Sequence, residues 1–379
     1  MKILVAHSRY SGSQPSGENI VVDAQVAVLR TRFDVVTYTS QTPTRPTLSN
    51  RLIAAHSMMT NGSNSDITEC IADEKPDLVH VHNVVPNLGL GWLDDVSVPI
   101  VATLHNFRTM CMKGTMMLNG KPCAKCRATS LHGVVNGCYR NSRVQSVPMS
   151  VHLSGPVADY LLVQRATCLL ALSERALRMH VENGIPRAKI ELLPNFGPAS
   201  TVVDDAASGS WIYTGRLSEE KGLRRLMEYW PLEAPLQIVG DGPMRREIEW
   251  WSSSSEAVDY LGVRTHEEVL ELLTSSRGVV VPSIWAEGAV PQVYLEAIAA
   301  GLPVLAQQGN AAADDIHASG TGATYTDAAS LKMGLDYIHR NQLTLRRASR
   351  ARYAERYTPA KWLESISGLY TGVLGGAGR

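Results

Sequence analysis

The chain has 379 residues, of which 44% are hydrophobic, and its 36 basic and 36 acidic residues give a formal net charge of zero. This length exceeds what one hydrophobic core usually organises, so we expect two domains, and the composition excludes a disordered chain. The balanced charge argues against a nucleic-acid partner. The first residues hold only a short apolar run, and no stretch approaches the roughly 18 apolar residues that span a membrane, so we expect a cytoplasmic protein.

Short β-branched runs alternate with amphipathic segments in two series along the chain. The first series is residues 3–7, 34–38, 77–81, 100–105 and 168–172. The second series is residues 211–215, 236–240, 258–262, 278–283 and 303–306. This alternation is typical of parallel sheets with crossover helices. The sequence therefore predicts an α/β fold with two doubly wound, Rossmann-like domains, residues 1–195 and 196 onward, that face a ligand-binding cleft.

The linker between the two domains is expected in residues 192–210, which are rich in Pro, Gly, Ser and Ala. Near the amino terminus, Gly12 and Gly17 have the spacing of a phosphate-binding loop, but Glu18 stands where that loop needs lysine. A nucleoside triphosphatase is therefore excluded, and the absence of G-x-G-x-x-G weakens a dinucleotide-dependent dehydrogenase. Gly17 either lets backbone amides approach a ligand or only forms a tight turn.

Two carboxylates surround a turn in "SIWAEGAVPQVYLEAIAAGLPV", residues 283–304. A buried strand leads into a loop that carries Glu287, and Pro291 suits the first turn of a helix that Gly301 closes. Glu296 then lies in the body of this helix, facing the same cleft. Because carboxylates accept hydrogen bonds at both oxygens, Glu287 can bind sugar hydroxyls and Glu296 a ribose diol.

Cations precede these acids in "YTGRLSEEKG", where Arg216 follows a strand and Lys221 lies in the next turn. This pair suits a diphosphate, and the amides of Ala289 and Val290 at the start of the later helix add donors to the same anion. Alone, each residue is more often an ordinary surface group. Their joint order predicts a site for a nucleoside diphosphate-sugar.

Several segments give the chain a resemblance to a known family. They are "GRLSEEKG", "IVGDGPMRREIE", "YLG", "VPSIWAEG", "PQVYLEAIAAGLPV", "DLVHVHN" and "TLHNFR". Over nearly its whole length the chain resembles the retaining glycosyltransferases of family four, which have the GT-B fold and include the glycogen synthase and phosphatidylinositol mannosyltransferase group. The resemblance implies that Arg216 and Lys221 hold the leaving diphosphate, Glu296 the ribose, and Glu287 the hydroxyls of the donor sugar.

The resemblance has further implications outside this segment. It implies that His105 lies beside the donor sugar and the reacting centre, and that Gly17 approaches the donor phosphate or the acceptor. It also implies that a last helix, residues 360–379, returns to the first domain, leaving 196–359 as the donor-binding domain. One departure is that eight residues separate Glu287 and Glu296, where the family has seven, and we expect the extra residue before Pro291.

No D-x-D pair occurs in the sequence, so no catalytic metal is expected, and the cations and helix amides would supply the positive field. A structural metal is a separate question. Four cysteines, Cys111, Cys123, Cys126 and Cys138, are separated by eleven, two and eleven intervening residues. Because the surrounding segment reads as polar with little apolar material to fold it, a structural zinc would explain its order. An iron–sulfur cluster, a redox pair or four reduced thiols remain open.

The cysteine-bearing segment, residues 108–143, resembles an insertion in one branch of the family and should overhang the acceptor side. Its basic residues favour an anionic, lipid-linked acceptor or form a solvated face. We therefore expect a retaining hexosyltransferase that uses a nucleotide sugar and a glycan or lipid-linked acceptor in cell-surface polysaccharide or glycolipid synthesis, with peripheral contact at the inner membrane face. A nucleotide-sugar epimerase of the same fold and a non-catalytic nucleotide-sugar-binding protein are the alternatives.

Overall fold

The computed structural model describes residues 1–9, 17–43, 47–60, 65–127, 129–199 and 209–376. The chain divides into two compact units. Unit 1 comprises Met1–Pro194 and Leu363–Arg379, and unit 2 comprises Asn195–Trp362. Among the described residues, no helix has both the length and the apolar character that crossing a membrane requires.

Unit 1 is built on a six-stranded parallel sheet in the order β2-β1-β3-β4-β7-β8. Its strands are β1 (Lys2–Arg9), β2 (Asp34–Gln41), β3 (Leu78–Val81), β4 (Ile100–Leu104), β7 (Cys168–Ala171) and β8 (Ile190–Leu192). A small antiparallel hairpin adds β5 (Met117–Leu118) and β6 (Lys121–Pro122). The central strands β3 and β4 are buried along their whole length, as expected for a parallel sheet covered on both faces.

The helices of unit 1 lie between these strands. They are α1 (Gly17–Leu29), α2 (Leu48–Thr60), α3 (Ser65–Glu74), α4 (Leu131–Val135), α5 (Arg143–His152), α6 (Leu161–Arg165) and α7 (Glu174–Glu182). Serine side chains cap two of them, because Ser142 accepts from Gln145 N in α5 and Ser173 accepts from Ala176 N in α7.

Unit 2 contains a second six-stranded parallel sheet, in the order β11-β10-β9-β12-β13-β14. Its strands are β9 (Trp211–Thr214), β10 (Leu236–Val239), β11 (Val258–Gly262), β12 (Gly278–Val281), β13 (Val304–Gln307) and β14 (Gly322–Tyr325). Its helices are α8 (Leu223–Tyr229), α9 (Arg245–Ser254), α10 (His266–Ser275), α11 (Gln292–Ala299), α12 (Ala311–Ser319), α13 (Ala328–Arg340) and α14 (Gln342–Arg352). The last helix of the chain, α15 (Pro359–Gly376), begins in unit 2, and its residues from Leu363 onward belong to unit 1.

The two parallel-sheet units confirm the predicted α/β fold, and each of the ten predicted strands corresponds to a strand of the structure. The sequence analysis missed the sheet-edge strands β8 and β14 and the β5–β6 hairpin. These are two to four residues long and partly polar, so they lack the apolar run that marked the others.

The division between the two units, after Pro194, lies within the expected linker, residues 192–210. Residues 200–208 lie outside the described residues, and the segment just before them is packed in unit 2. Gly197 N donates to Tyr357 O at 3.0 Å, and the Phe196 and Trp362 rings lie 5.3 Å apart. A Cβ atom at Gly197 would approach Leu295 O to 2.9 Å, so this position needs glycine for close backbone packing.

The expectation that the cysteine-bearing segment has little apolar material to fold it is wrong. Met112 is fully buried in the core of unit 1, and Tyr139 packs into the same core. A Cβ atom at Gly133 would approach the Met112 Cε atom to 2.7 Å, which shows how closely α4 packs on this methionine. Methionine supplied the core because its flexible side chain fills irregular space.

Candidate functional site

In both units, the order of the parallel strands reverses direction between two neighbouring strands. The reversal lies between β1 and β3 in unit 1 and between β9 and β12 in unit 2. Ligands of doubly wound sheets bind beyond the carboxyl ends of the strands at such a reversal. The residues that follow these strands are therefore the first place to look for a site in each unit.

In unit 2, the carboxylate of Glu287 is the centre of a polar cluster beyond β12. Three donors converge on its Oε1 atom: Lys221 Nζ at 2.6 Å, Ser283 Oγ at 3.0 Å and Trp285 Nε1 at 3.2 Å. Glu287 is only 3% exposed, and its Oε2 atom is buried without a hydrogen-bond partner among the described residues. One oxygen is thus fully satisfied, while the other is left to accept a hydrogen bond from a ligand.

The backbone holds this cluster in place. The loop after β9 is joined to the loop after β12 by a hydrogen bond from Ile284 N to Glu220 O at 3.1 Å. Gly222 has a φ of 74°, and a Cβ atom there would overlap Pro282 O, so only glycine allows the two loops to pack this closely. Asn310 supports the second loop by donating to Ser283 O at 2.9 Å.

Glu287 itself has a φ of 41°, in the left-handed region that non-glycine residues seldom adopt. This strained conformation places the carboxylate beside the ammonium group of Lys221. The same Nζ atom lies 5.8 Å from the centre of the Trp285 ring. Helix α11 begins at Gln292 without interruption, so the eight residues between Glu287 and Glu296 require no bulge in the helix. Strain of this kind is often retained at ligand sites.

The other residues predicted for the donor lie near these loops but outside the cluster. Arg216 is exposed in the loop after β9, and its carbonyl oxygen accepts from Tyr213 Oη at 2.8 Å. Ala289 and Val290 lie just before α11. Glu296 lies within α11 beside His266, with 3.8 Å between Glu296 Oε1 and His266 Nδ1. Burial raises the pKa of Glu296, and His266 opposes this shift.

In unit 1, His105 follows β4 directly and is a half-buried residue beside the buried His80 and His82. Its Nε2 atom lies 2.9 Å from His82 Nδ1, and the His82 ring stacks on His80 with 4.3 Å between centroids. His80 is held between Tyr370 Oη at 2.6 Å and Thr103 Oγ1 at 2.8 Å. Burial lowers the pKa of both His80 and His105 to about 3, so these rings are neutral near pH 7.

The hydrogen bond between His82 and His105 couples their protonation. Since each neutral ring carries one proton, donation by His82 Nδ1 leaves the proton of His105 on Nδ1, and donation by His105 Nε2 leaves that of His82 on Nε2. His82 is not among the residues that the sequence analysis predicted for the site. The structure couples its tautomer to that of His105.

A small cavity lies beside this histidine pair in unit 1. It has a volume of about 40 Å³, and its lining includes Glu18, Asn83, His105, Asn106, Arg108 and Thr109. Gly17, a predicted ligand contact, is the exposed first residue of α1 and precedes Glu18. Gly12 lies outside the described residues.

The four cysteines do not form a metal site in the structure. Cys111 is buried and the other three are half-buried, and the described residues contain no group of three or more His, Cys, Asp or Glu side chains that could hold a metal ion. Cys123 Sγ lies 4.0 Å from His132 Nε2. Burial, with a smaller contribution from the neighbouring thiols, raises the pKa of Cys126 and of Cys138. The zinc hypothesis therefore has no support in the structure.

Comparison with known proteins identifies the family. Residues 3–195 match the family described as "Glycosyl transferase 4-like domain", and residues 209–340 match "Glycosyl transferases group 1". The first match alone covers more than half of the chain. The chain belongs to the glycosyltransferase 4-like family.

One curated relative matches part of the chain. The sulfoquinovosyl transferase SQD2 of Arabidopsis thaliana is 26% identical over 264 residues, which cover 67% of this chain and 47% of that protein. The chain thus matches about half the length of this curated relative.

Solved structures share the GT-B fold. HepE of Anabaena, in complex with UDP, is 15% identical with a TM-score of 0.67, and the match covers 98% of this chain and 100% of that one. Sucrose-phosphate synthase from Thermosynechococcus elongatus is 17% identical with a TM-score of 0.69, covering 99% of each chain. The lipopolysaccharide outer core galactosyltransferase WaaB is 14% identical with a TM-score of 0.62, covering 98% and 99%.

Several residues of these clusters were missed by the sequence analysis. The missed residues of unit 2 are Ser283, Trp285 and His266. The missed residues of unit 1 are Glu18, His82 and Asn106. Ser283 and Trp285 stood within a quoted segment, but nothing in their spacing indicated that both would donate to one carboxylate oxygen. Glu18 was considered only as the residue that excludes a phosphate-binding loop.

Proposed function

We propose that this chain is a retaining glycosyltransferase that moves a hexose-type sugar from a nucleoside diphosphate to a glycan or lipid-linked acceptor. Unit 2 binds the donor and unit 1 the acceptor. Relatives named for the synthesis of lipopolysaccharide and of a sulfoquinovosyl product support a role in cell-surface polysaccharide or glycolipid synthesis. A cytoplasmic location with contact at the inner membrane face accords with this role.

The observation that carries the proposal is the half-satisfied carboxylate of Glu287. Its Oε1 accepts from three side chains, and its buried Oε2 has no partner among the described residues. An unpaired buried acceptor costs stability, so a site that keeps one gains from a ligand hydroxyl that pairs with it. A donor sugar supplies such hydroxyls, and HepE has been solved in complex with UDP-glucose.

The remaining roles follow from charge and position. Arg216 and Lys221 stabilise the diphosphate as the glycosidic bond breaks and negative charge builds on it, helped by backbone amides near Ala289 and Val290. Glu296 accepts hydrogen bonds from the ribose hydroxyls. In unit 1, the neutral ring of His105 offers a polar nitrogen to the donor sugar, and Gly17 lets the backbone approach the substrates.

The first experiment is a thermal-shift screen against UDP, GDP, ADP and dTDP and their common sugar conjugates. A ligand at a hundred times its dissociation constant stabilises a protein by about 2.7 kcal/mol, so binding is readily seen. We expect one nucleotide family to raise the melting temperature of the wild type, and an Arg216→Ala, Lys221→Ala variant to lose that increase. Lys332→Ala, which removes an exposed cation from α13, is the matched control and should retain it.

A second measurement tests retention. Proton NMR of the glycoside formed from an α-linked nucleotide sugar should show an α-linkage between the transferred sugar and the acceptor. A β-linkage contradicts the retaining mechanism, and absence of any nucleotide shift contradicts the donor site.

A further inference from the structure

The cavity of unit 1 contains a carboxylate, that of Glu18, to which the proposed function assigns no role. Glu18 lies in the first turn of α1, after β1, and lines the cavity with Asn106 and Arg108. Its Oε1 atom is closed off from solvent and has no hydrogen-bond partner among the described residues. Burial raises the pKa of Glu18 to about 7, although Arg108 and hydrogen bonds from Asn106 and Asn83 oppose this shift.

A second polar atom of the cavity is in the same condition. Thr109 is 8% exposed, and its Oγ1 atom is buried without a partner in the described part of the chain. The backbone fixes the neighbouring asparagines, since Asn106 Oδ1 accepts from Arg108 N at 3.0 Å and Asn83 Oδ1 accepts from Val85 N at 3.1 Å. Both amide NH₂ groups are therefore oriented as donors, and Glu18 remains an acceptor.

This combination of groups selects the chemistry of a ligand. Sugar hydroxyls both donate and accept, so neighbouring hydroxyls pair with a carboxylate acceptor and amide or hydroxyl partners at once. A phosphodiester has no proton to donate to Glu18, and the charge of the ionised carboxylate repels it, although Arg108 in the same lining acts in the opposite direction. The volume of about 40 Å³ holds only a few waters or part of one sugar ring, which suits one end of a larger molecule.

We propose that the cavity lined by Glu18, Asn106 and Thr109 binds neighbouring hydroxyls of a neutral sugar residue, the acceptor end that receives the transferred sugar. This inference rests on the proposed glycosyltransferase function and specifies its acceptor. Any anionic part of a lipid-linked acceptor then lies outside this cavity. Glu18 acts as a specificity-determining residue, because its unpaired oxygen requires a hydroxyl donor.

The test uses ligand-observed NMR on the full chain at pH 8, where Glu18 is ionised. The probes are the methyl α-glycosides of glucose, mannose and galactose, their monodeoxy analogues, and inorganic phosphate. We expect at least one glycoside to bind, and Glu18→Gln to weaken its binding about tenfold or more. Removing the hydroxyl that faces Glu18 should weaken binding to the wild type but cause little further loss in Glu18→Gln.

Two more variants keep the result interpretable. Glu69→Gln, on the exposed side of α3, is the matched control and should bind the glycoside like the wild type. Thr109→Val should weaken binding severalfold and tests the same cavity if Glu18→Gln does not fold. Equal glycoside binding by the wild type and both cavity variants, absence of glycoside binding, or preferential binding of phosphate would overturn the proposal.

A parallel UDP thermal-shift measurement separates this inference from the proposed function. The residues proposed to hold the diphosphate and the ribose lie in unit 2, so Glu18→Gln should retain any nucleotide shift of the wild type. If no nucleotide binds but glycoside binding depends on Glu18, the donor assignment fails and the cavity assignment stands. If nucleotides bind and glycosides do not, the cavity assignment fails and the donor assignment stands.

Discussion

The ammonium group of Lys221 lies 2.6 Å from Glu287 Oε1, although the two residues are 66 positions apart in the chain. The side chain of Glu287 is 5% exposed and that of Lys221 is 28% exposed, so one partner is buried and the other reaches solvent. Loss of the cation therefore leaves a buried negative charge with only Ser283 and Trp285 as donors. The same pair thus links the stability of unit 2 to its proposed donor site.

We predict that Lys221→Ala lowers the free energy of unfolding by about 1 to 3 kcal/mol, because breaking a largely buried ion pair leaves an uncompensated charge. Adding Glu287→Gln to this variant should restore part of the loss, since the remaining amide carries no charge. Urea unfolding measures both changes. Arg245→Ala, which breaks the exposed pair with Glu249, is the control and should leave stability nearly unchanged. A similar small change in Lys221→Ala would contradict the buried pair.

The sequence predicted five of the six strands in each sheet and the segments that carry this pair, because alternating apolar runs and glycine-marked turns are local features. It did not predict that Ser283 and Trp285 would share one oxygen of Glu287, because that convergence depends on the positive φ of Glu287 and on the close approach of Gly222 to Pro282. The zinc hypothesis has no support among the described residues for a related reason. Spacing alone could not show that Met112 and Tyr139 would fill the interior of the cysteine-bearing segment.

The pH dependence of stability should report the burial of Glu18. Its pKa is about 7 in the folded protein, against 4.5 for the ordinary group, so the folded state binds more protons between these values. Stability therefore falls as pH rises from about 4.5 to 7, and by linkage the loss above pH 7 is about 3 kcal/mol. Below pH 4.5 the carboxyl is neutral in both states and the loss vanishes.

Comparison with Glu18→Gln isolates this contribution from that of the buried histidines. We expect the variant to be more stable than the wild type at pH 8 by roughly 2 to 4 kcal/mol and nearly equal to it at pH 4. Urea unfolding at several pH values between 4 and 8 gives the difference curve. A difference that does not change with pH means that Glu18 titrates normally and is not buried as a charge.

Gly17→Ala separates a ligand contact from a simple helix start. A Cβ atom at Gly17 meets no atom within 4 Å, so the change should alter the unfolding free energy by less than about 1 kcal/mol. If the backbone of Gly17 approaches a substrate as proposed, the added methyl group should raise KM severalfold. Gly368→Ala in α15, also without a Cβ contact, is the control and should leave KM unchanged. An unchanged KM in both variants identifies Gly17 as only the first residue of α1.

A second buried ion pair in unit 2 provides a purely structural contrast to Lys221 and Glu287. Asp315 accepts from Arg352 Nη2 at 2.5 Å and from the hydroxyls of Tyr294 at 2.6 Å and Tyr357 at 2.8 Å. Burial alone would raise the pKa of Asp315, but the hydrogen bonds from Arg352 and the two tyrosines outweigh it and lower the pKa. The network ties α12 to α11 and to the segment that follows α14.

We predict that Arg352→Met lowers the unfolding free energy by about 3 kcal/mol, because Asp315 stays buried after losing its cation. Arg352→Met with Asp315→Asn should recover part of this loss. Lys332→Ala, from an exposed pair, should leave the unfolding free energy nearly unchanged. The nucleotide thermal shift should persist in Arg352→Met, since both oxygens of Asp315 already have partners and none is left for a ligand. If Arg352→Met keeps its stability but loses nucleotide binding, the network is part of the donor site and its role is not purely structural.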